Sequence, residues 1–493
     1  MSLPVHGVLR AVLAAAGAVA LVSASTSLTS GLDLGGTSAH GGPGTVDEAA
    51  RDVVLSCPGP ELSGVAGVAD VPLSGSVSAG AAPREAIPGL VLPSGTGGLS
   101  IGASGPAASG TAPTRGQTVV VPLPGSASPV EIRGTGSLGA AVAGSQQWTS
   151  DTSELRGLTT TPCIASSADA WLLGGGGSPG RQERLVLVNP GANEVVVGLS
   201  LHGHDGPIAS PTGTGVTVPA HGRAVVLLDA LDGSESTPAV HVQVVGGTVA
   251  AFLDDTWLDG SVPAGADTAP PDAPPSTTQV VPAAALDGPG SVRIAVPGTK
   301  EAVVQVRLIG PSGGLPLPGA DAGVTRVPGG AVAELSLAQV PPGTYAVEVT
   351  SDVPVVAAAF AQRRAGTDPG DFAWSTSAPA VSGTAGTTFT SSGQAPARSL
   401  TLVATDGSVT ADLVTVVGGT VTAKRVTIAQ DTTSTVALPA GSTSVWVHRV
   451  EGDGELRAAV VSTLGTGATQ LIASEPLLDS VLTSEVSHAF PLP

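Results

Sequence analysis

Aromatic side chains are nearly missing from this chain. Phenylalanine, tyrosine and tryptophan make up 2% of its 493 residues, although 42% are apolar. Its cores must therefore be packed with valine, leucine, isoleucine and alanine. Charge is also scarce, at 12%, and lopsided, with 39 acidic against 20 basic residues and a net charge of −19. That balance excludes nucleic acid as a partner, because phosphate binding needs clustered Lys and Arg. Anionic lipid headgroups would be repelled as well. Cysteine is limited to Cys57 and Cys163, with no CxxC pair and no neighbouring histidine, so a thiolate metal centre is not expected. The spacing of a calcium loop and the GxSxG nucleophile elbow do not occur. Gly174–Gly177 is not followed by Lys-Ser/Thr and cannot act as a phosphate-binding P-loop. No apolar run after the first 30 residues reaches the roughly 20 residues that span a bilayer.

What the chain has in abundance is glycine, 68 residues, and proline, 42 residues, far too many for helix interiors. They belong in turns between short strands rich in valine and threonine, so an all-β fold is expected. Residues 1–30 carry one positive charge at Arg10, then the apolar run AVLAAAGAVALVSAS. This reads as an export signal cut after Val22-Ser23-Ala24, or as an uncleaved membrane anchor, and it places the remainder outside the cytoplasm. In an oxidising compartment Cys57 and Cys163 are expected to form a disulfide closing a loop of about 107 residues, worth roughly 4–5 kcal/mol. Two buried free thiols are the alternative.

A long segment recurs with its internal order intact. LVLVNPGANEVVVGLSLHG, GVTVPAHGRAVVLLDAL and AVHVQVVGGTVAAFLDDTW are followed by VRIAVPGTKEAVVQVRLIG, VTRVPGGAVAELSL and YAVEVTSDVPVVAAAFAQ. Asn189-Pro190-Gly191 maps onto Val296-Pro297-Gly298, 107 residues on, and Phe252 onto Phe360, 108 residues on. In Glu194–Leu201, Val195, Val197, Leu199 and Leu201 fall on one face, as a half-buried strand requires. Equal units of about seven short strands fit tandem immunoglobulin-like β-sandwich modules. Closure of the units into a propeller-like body is the alternative.

The expected organisation is a signal or anchor at 1–30 and a flexible linker at 31–50. A degenerate module at 51–165 follows, holding a Gly/Ala/Ser/Pro-rich insertion, then sandwiches at 166–275, 276–385 and 386–493, the last diverged. In the first module Cys57-Pro58-Gly59 stands where Asn189-Pro190-Gly191 does, and Trp148 aligns with Trp257. The segment ADTAPPDAPPST reads as a spacer between the second and third modules.

With its leader, its early Cys-Pro-Gly and its LVLVNPG, VTVPAHGRAVVLLDAL and GGTVAAFLDDTW segments, the chain resembles an exported actinobacterial family of unknown function. The resemblance implies Asn-Pro-Gly-type Ig-like repeats, similar to other exported repeats whose S-D-x-P-V-V-A pattern appears here as Ser351–Ala357. The resemblance covers most of residues 50–480 and implies no catalytic residues. Ala404-Thr405-Asp406 departs from it where Asn-Pro-Gly is expected.

Candidate chemistry is sparse. His202 and His204, spaced i, i+2 on one strand face with Asp205 next, form the sharpest metal-site candidate. Their place at a hairpin tip is equally that of ordinary loop polarity. Gly134–Gly139 spells GxGxxG, with Glu154 twenty residues beyond Gly134, but a dinucleotide site needs a helix at the third glycine. A hairpin turn fits better. Asp254 and Asp255 with Asp259, and Asp368 with Asp371, are the nearest approaches to paired carboxylates. Adjacent acids on a strand point to opposite faces, so these read as solvated charges. Trp148, Trp171, Trp257, Trp374 and Trp446 come about one per module and read as core packing.

The function expected is a non-enzymatic extracytoplasmic envelope protein without cofactors. It would act as scaffold, spacer or accessory subunit for envelope proteins or a cell-wall polymer, touching membrane only through an uncleaved leader. A cell-wall carbohydrate binder and a metal-dependent hydrolase using His202 and His204 are the alternatives.

Overall fold

Over the strand Val195–Gly203, Val195, Val197, Leu199 and Leu201 are buried while Val196 and Ser200 face outward. This is the two-residue period read from the sequence. A computed structural model describes residues 45–487, apart from 66, 104–107, 126, 211–212, 233–234, 320 and 391–394. The leader at 1–30 and residues 31–44 of the expected linker lie outside the described residues. The chain divides into a unit of residues 48–484 and a second of 1–47 with 485–493. The described part of the second unit is extended strand. The fold is nearly all β, in separate antiparallel sheets that face one another as sandwiches.

In the second module one sheet runs Asp169–Leu173, Ala239–Val245, Val195–Gly203, Gly206–Ile208. The other runs Gly222–Leu227, Arg181–Asn189, Ala250–Asp259, Val262–Ala269. The other modules repeat this order. In the third, the sixth and seventh strands fuse into one 21-residue strand, Gly343–Arg363, which passes from one sheet to the other. Each sandwich interior is aliphatic, as the composition demands. The third, for example, is filled by Val281, Ile294, Val304, Leu308, Val347 and their neighbours.

Several details differ from the sequence reading. Each module carries an edge strand after the last hairpin that was not expected, Arg156–Pro162, Val262–Ala269, Asp371–Thr376 and Leu471–Pro476, and the second also carries the short strand Gly206–Ile208. Cys57 ends the first strand of its module, Asp52–Cys57, and the counterpart of Arg181–Asn189 is Gly75–Ala81, inside the supposed insertion. Phe252 pairs with Val186, whereas Phe360 pairs with Ser291. A shift of 107 carries Val186 onto Arg293, whose partner is Ala358, so the two Phe strands are offset by two residues. An even slip leaves every side chain on its own face, which is why the segments align so well by eye. The end of the expected linker forms the strand Thr45–Ala49, and Ala49 and Ala50 join the first module's core. The Pro-rich segment links the second and third modules only over residues 270–275 and is packed against them rather than free. Asp267 and Thr268 belong to an edge strand, and Pro270 and Asp272 are buried.

The four unexpected edge strands explain how the modules assemble. Arg156–Pro162 packs on Val262–Ala269, which packs on Asp371–Thr376, which packs on Leu471–Pro476, which returns to Arg156–Pro162. The sandwiches thus close around a ring of four inner strands, so the sandwich and the closed-body readings both hold. Small residues allow this approach. Gly265 has φ +140, and a Cβ there would lie 2.4 Å from Cδ1 of Phe372 and 2.9 Å from Cα of Asp371.

Candidate functional site

Edge strands turned inward bring main-chain N–H groups into a buried interior, where each needs an acceptor. Carboxylates supply them across module boundaries. Asp371 of the third module accepts N–H bonds from Leu158 of the first (3.1 Å), Ala266 of the second (3.3 Å) and Ile472 of the fourth (2.8 Å). Asp267 accepts the N–H of Trp374 at 2.6 Å. Asp272 accepts those of Leu173 and Ser377. Glu475 accepts the hydroxyls of Ser145 (2.9 Å) and Thr387 (2.6 Å). All four acids are buried. Burial pushes Asp371 up to about 8 and Glu475 to about 7, against the pull of their donors, and lifts Asp267 and Asp272 well above the usual carboxylate range.

Asp254 and Asp255 point to opposite faces as expected, but both are fully buried rather than solvated. Asp254 faces Arg184 and Arg223 of its own module and, from the first module, Glu61. Burial raises Asp254 to about 7, and burial with the nearby Asp254 raises Glu61 to about 8. Asp255 binds Arg181 through both oxygens and accepts the indole N–H of Trp374 at 2.8 Å. Of the remaining paired acids, Asp371 belongs to the ring, while Asp259 and Asp368 are exposed.

The Arg181 guanidinium lies within 6.0 Å of the ring centroids of Trp257, Phe360, Phe372 and Trp374. Trp257, Phe360, Phe372 and Trp374 are therefore gathered between modules, while Tyr345 and Phe389 pack on the cores of the third and fourth. Trp171 and Trp374 join the second module to the third, and Trp446 packs on Ala82, Ala141 and Ala143 of the first. The glycine run belongs to this latch. The N–H groups of Gly175 and Gly176 donate to Asp255 and Glu183, and the carbonyls of Gly174 and Gly175 accept from Arg293. The chain's own carboxylates occupy the anion cradle that such a run can form.

His202 and His204 are not brought together. The strand ends at Gly203, leaving His204 and Asp205 exposed in the turn. His202 is buried, and its Nδ1–H donates to the carbonyl of Gly330 in the third module at 2.8 Å. Burial lowers its pKa. Its ring lies 5.0 Å from Trp171, which stacks at 4.3 Å on His241, and His241 pairs with Asp169. Among the described residues, no group of three or more His, Cys, Asp or Glu is placed to hold a metal ion. Gly134–Gly139 makes a single 3-10 turn over Gly136–Leu138 and runs into the strand Val142–Asp151, with no α-helix opening there.

At one end of the ring the chain leaves each inner strand through a linker, and these linkers enclose a cavity of about 460 Å³. Its floor is apolar, with Val142, Ala143, Ile164, Trp171, Val249 and Ala251, and its rim includes Asp169, Pro379 and Asp479. Cys163 is in its wall, joined to Cys57 by the expected disulfide.

The family of unknown function DUF5719 matches residues 119–439, well over half of the chain. The chain belongs to that family. Among curated proteins, none matches it. The DUF5719 match runs from the strand Thr118–Pro122 in the first module to Thr432–Ala437 in the fourth. It takes in the first three inner strands and with them Asp267 and Asp371, while Glu475 lies beyond it.

Sequence reading missed the inner strands because VPAGADTA is rich in alanine and glycine, and RGLTTTP, bounded by glycine and proline, shows no alternation. One signal was present. Arginine outnumbers lysine 18 to 2, a bias that suits planar, two-toothed pairing inside a protein.

Proposed function

We propose that this DUF5719 protein is a non-enzymatic, extracytoplasmic body of the cell envelope that acts as a scaffold or accessory subunit for other envelope components. The use made of its buried acids carries this reading. Asp371 and Glu475 spend both oxygens on main-chain N–H groups and hydroxyls from neighbouring strands, and one oxygen of Asp267 takes the N–H of Trp374, so they fasten modules together. The disulfide supports an oxidising address. The leader supports export, whether the mature protein is secreted or held by an uncleaved segment. Among the described residues no helix is long and apolar enough to cross a membrane.

Crosslinking of the full chain in intact cells, paired with surface proteolysis, tests this. Envelope proteins recovered in constant proportion, from a chain cut by external protease, are expected. Retention on purified cell wall with no protein crosslinked would shift the assignment to the carbohydrate-binding alternative. A cytoplasmic, fully reduced chain would end the proposal.

A further inference from the structure

The axial funnel has features that a scaffold does not need. Residues from all four modules form it, and its buried floor presents Val142, Ala143, Ile164, Trp171, Val249 and Ala251. The walls resist collapse. Pro271 and Pro379 stiffen two linkers, Pro162 ends the strand that leads into a third, and the Cys57–Cys163 bond ties that third to the first strand of its module. A preformed apolar concavity of this size falls within the ordinary range of small-molecule sites, about 300–1,000 Å³. It has room for no more than about one turn of a docking helix, which at about 5.4 Å high and 10–12 Å across fills roughly 420–610 Å³. The occupant is therefore a single chain or ring of a small molecule.

Charge selects further. Among the described residues no lysine or arginine lines the cavity, and two acids stand exposed at its mouth, Asp169 paired with His241 and Asp479 accepting from Ser382 and Gly383. The one carboxylate of the inner wall, Asp272, has both oxygens engaged by the N–H groups of Leu173 and Ser377. A carboxylate or phosphate head would face acids with no cation to receive it. We propose that the funnel binds an alkyl or aryl group carried on an uncharged or cationic head. This site does not depend on the scaffold reading.

Titration of the oxidised full chain with Nile red, an uncharged fluorophore, tests it. Competitors are dodecyl maltoside, dodecyltrimethylammonium and dodecanoate, each below its micelle concentration. Saturable one-to-one binding is expected, displaced by the first two competitors and at least tenfold less well by dodecanoate. Ala165→Trp, at an exposed position on the rim, is expected to weaken binding tenfold or more, and Ala143→Leu to do so by filling the floor. Absence of saturable binding, binding unchanged in both variants, or equal displacement by dodecanoate would overturn the assignment.

Discussion

Asp371→Ala removes the acceptor that serves three modules at once. The N–H groups of Leu158, Ala266 and Ile472 would each lose their partner in a buried setting. A buried donor left unpaired costs about 1–3 kcal/mol, so the ring loses roughly 3–9 kcal/mol of closure energy. Even the low end matters, since about 1.4 kcal/mol is a factor of ten in an equilibrium constant. Local opening of the inner strands should become at least about a hundredfold more frequent. Hydrogen exchange by mass spectrometry on the full chain reads this directly. Peptides covering 156–162, 262–269 and 471–476 should exchange faster together, while one covering 195–203, away from the ring, should not. Asp371→Asn should fall between wild type and alanine, because it keeps one carbonyl oxygen and turns an amide donor against the remaining N–H groups. If the three peptides exchange in Asp371→Ala as they do in wild type, the carboxylate does not fasten the ring and the argument fails.

Stability should also depend on pH with a definite sign. Asp371 and Glu61 are raised to about 8, and Glu475, Glu183 and Asp254 to about 7, so the folded chain holds protons that the unfolded chain releases at about pH 4. That stabilisation is complete below the unfolded values and is lost as pH rises through 7–8, so the melting temperature should be higher at pH 5 than at pH 8.5. The reverse order would show these acids to be ionised in the fold. Reduction, or Cys57→Ser, should destabilise the first module by about 4–5 kcal/mol on the chain-entropy account. Calorimetry with and without reductant measures it, and an unchanged melt would contradict it. Arg181→Lys loses the two-oxygen grip on Asp255 and the planar fit among four aromatic rings. A loss of about 2–4 kcal/mol and a red-shifted tryptophan emission are expected, since a lysine cannot restore that geometry. Native emission and stability in the lysine variant would count against the latch.

The sandwich was legible because its signal is local. Alternation in Val195–Leu201, the turn at Asn189-Pro190-Gly191 and the repeated segment each lie within a few residues of one another. The shortage of aromatics likewise foretold aliphatic cores. The inner strands were not legible, because Gly157, Gly265 and Ala266 are shaped by chains more than 90 residues away in sequence. Their smallness reads as loop composition until the neighbouring module is known. The acids were misjudged for a related reason. A carboxylate beside glycine and threonine looks solvated, and only its distant N–H partners reveal that it is buried.

The order of residues alone decided the class of fold, the repetition of the unit and the pairing partner available to each cysteine, since periodicity and composition act over short distances. Tertiary structure alone decided that the units close on themselves, that the rings of tryptophan and phenylalanine meet around Arg181, and that the linkers enclose a funnel. Those outcomes depend on which unsatisfied edges and faces come to lie opposite one another, a property of modules in space rather than of neighbours in the chain.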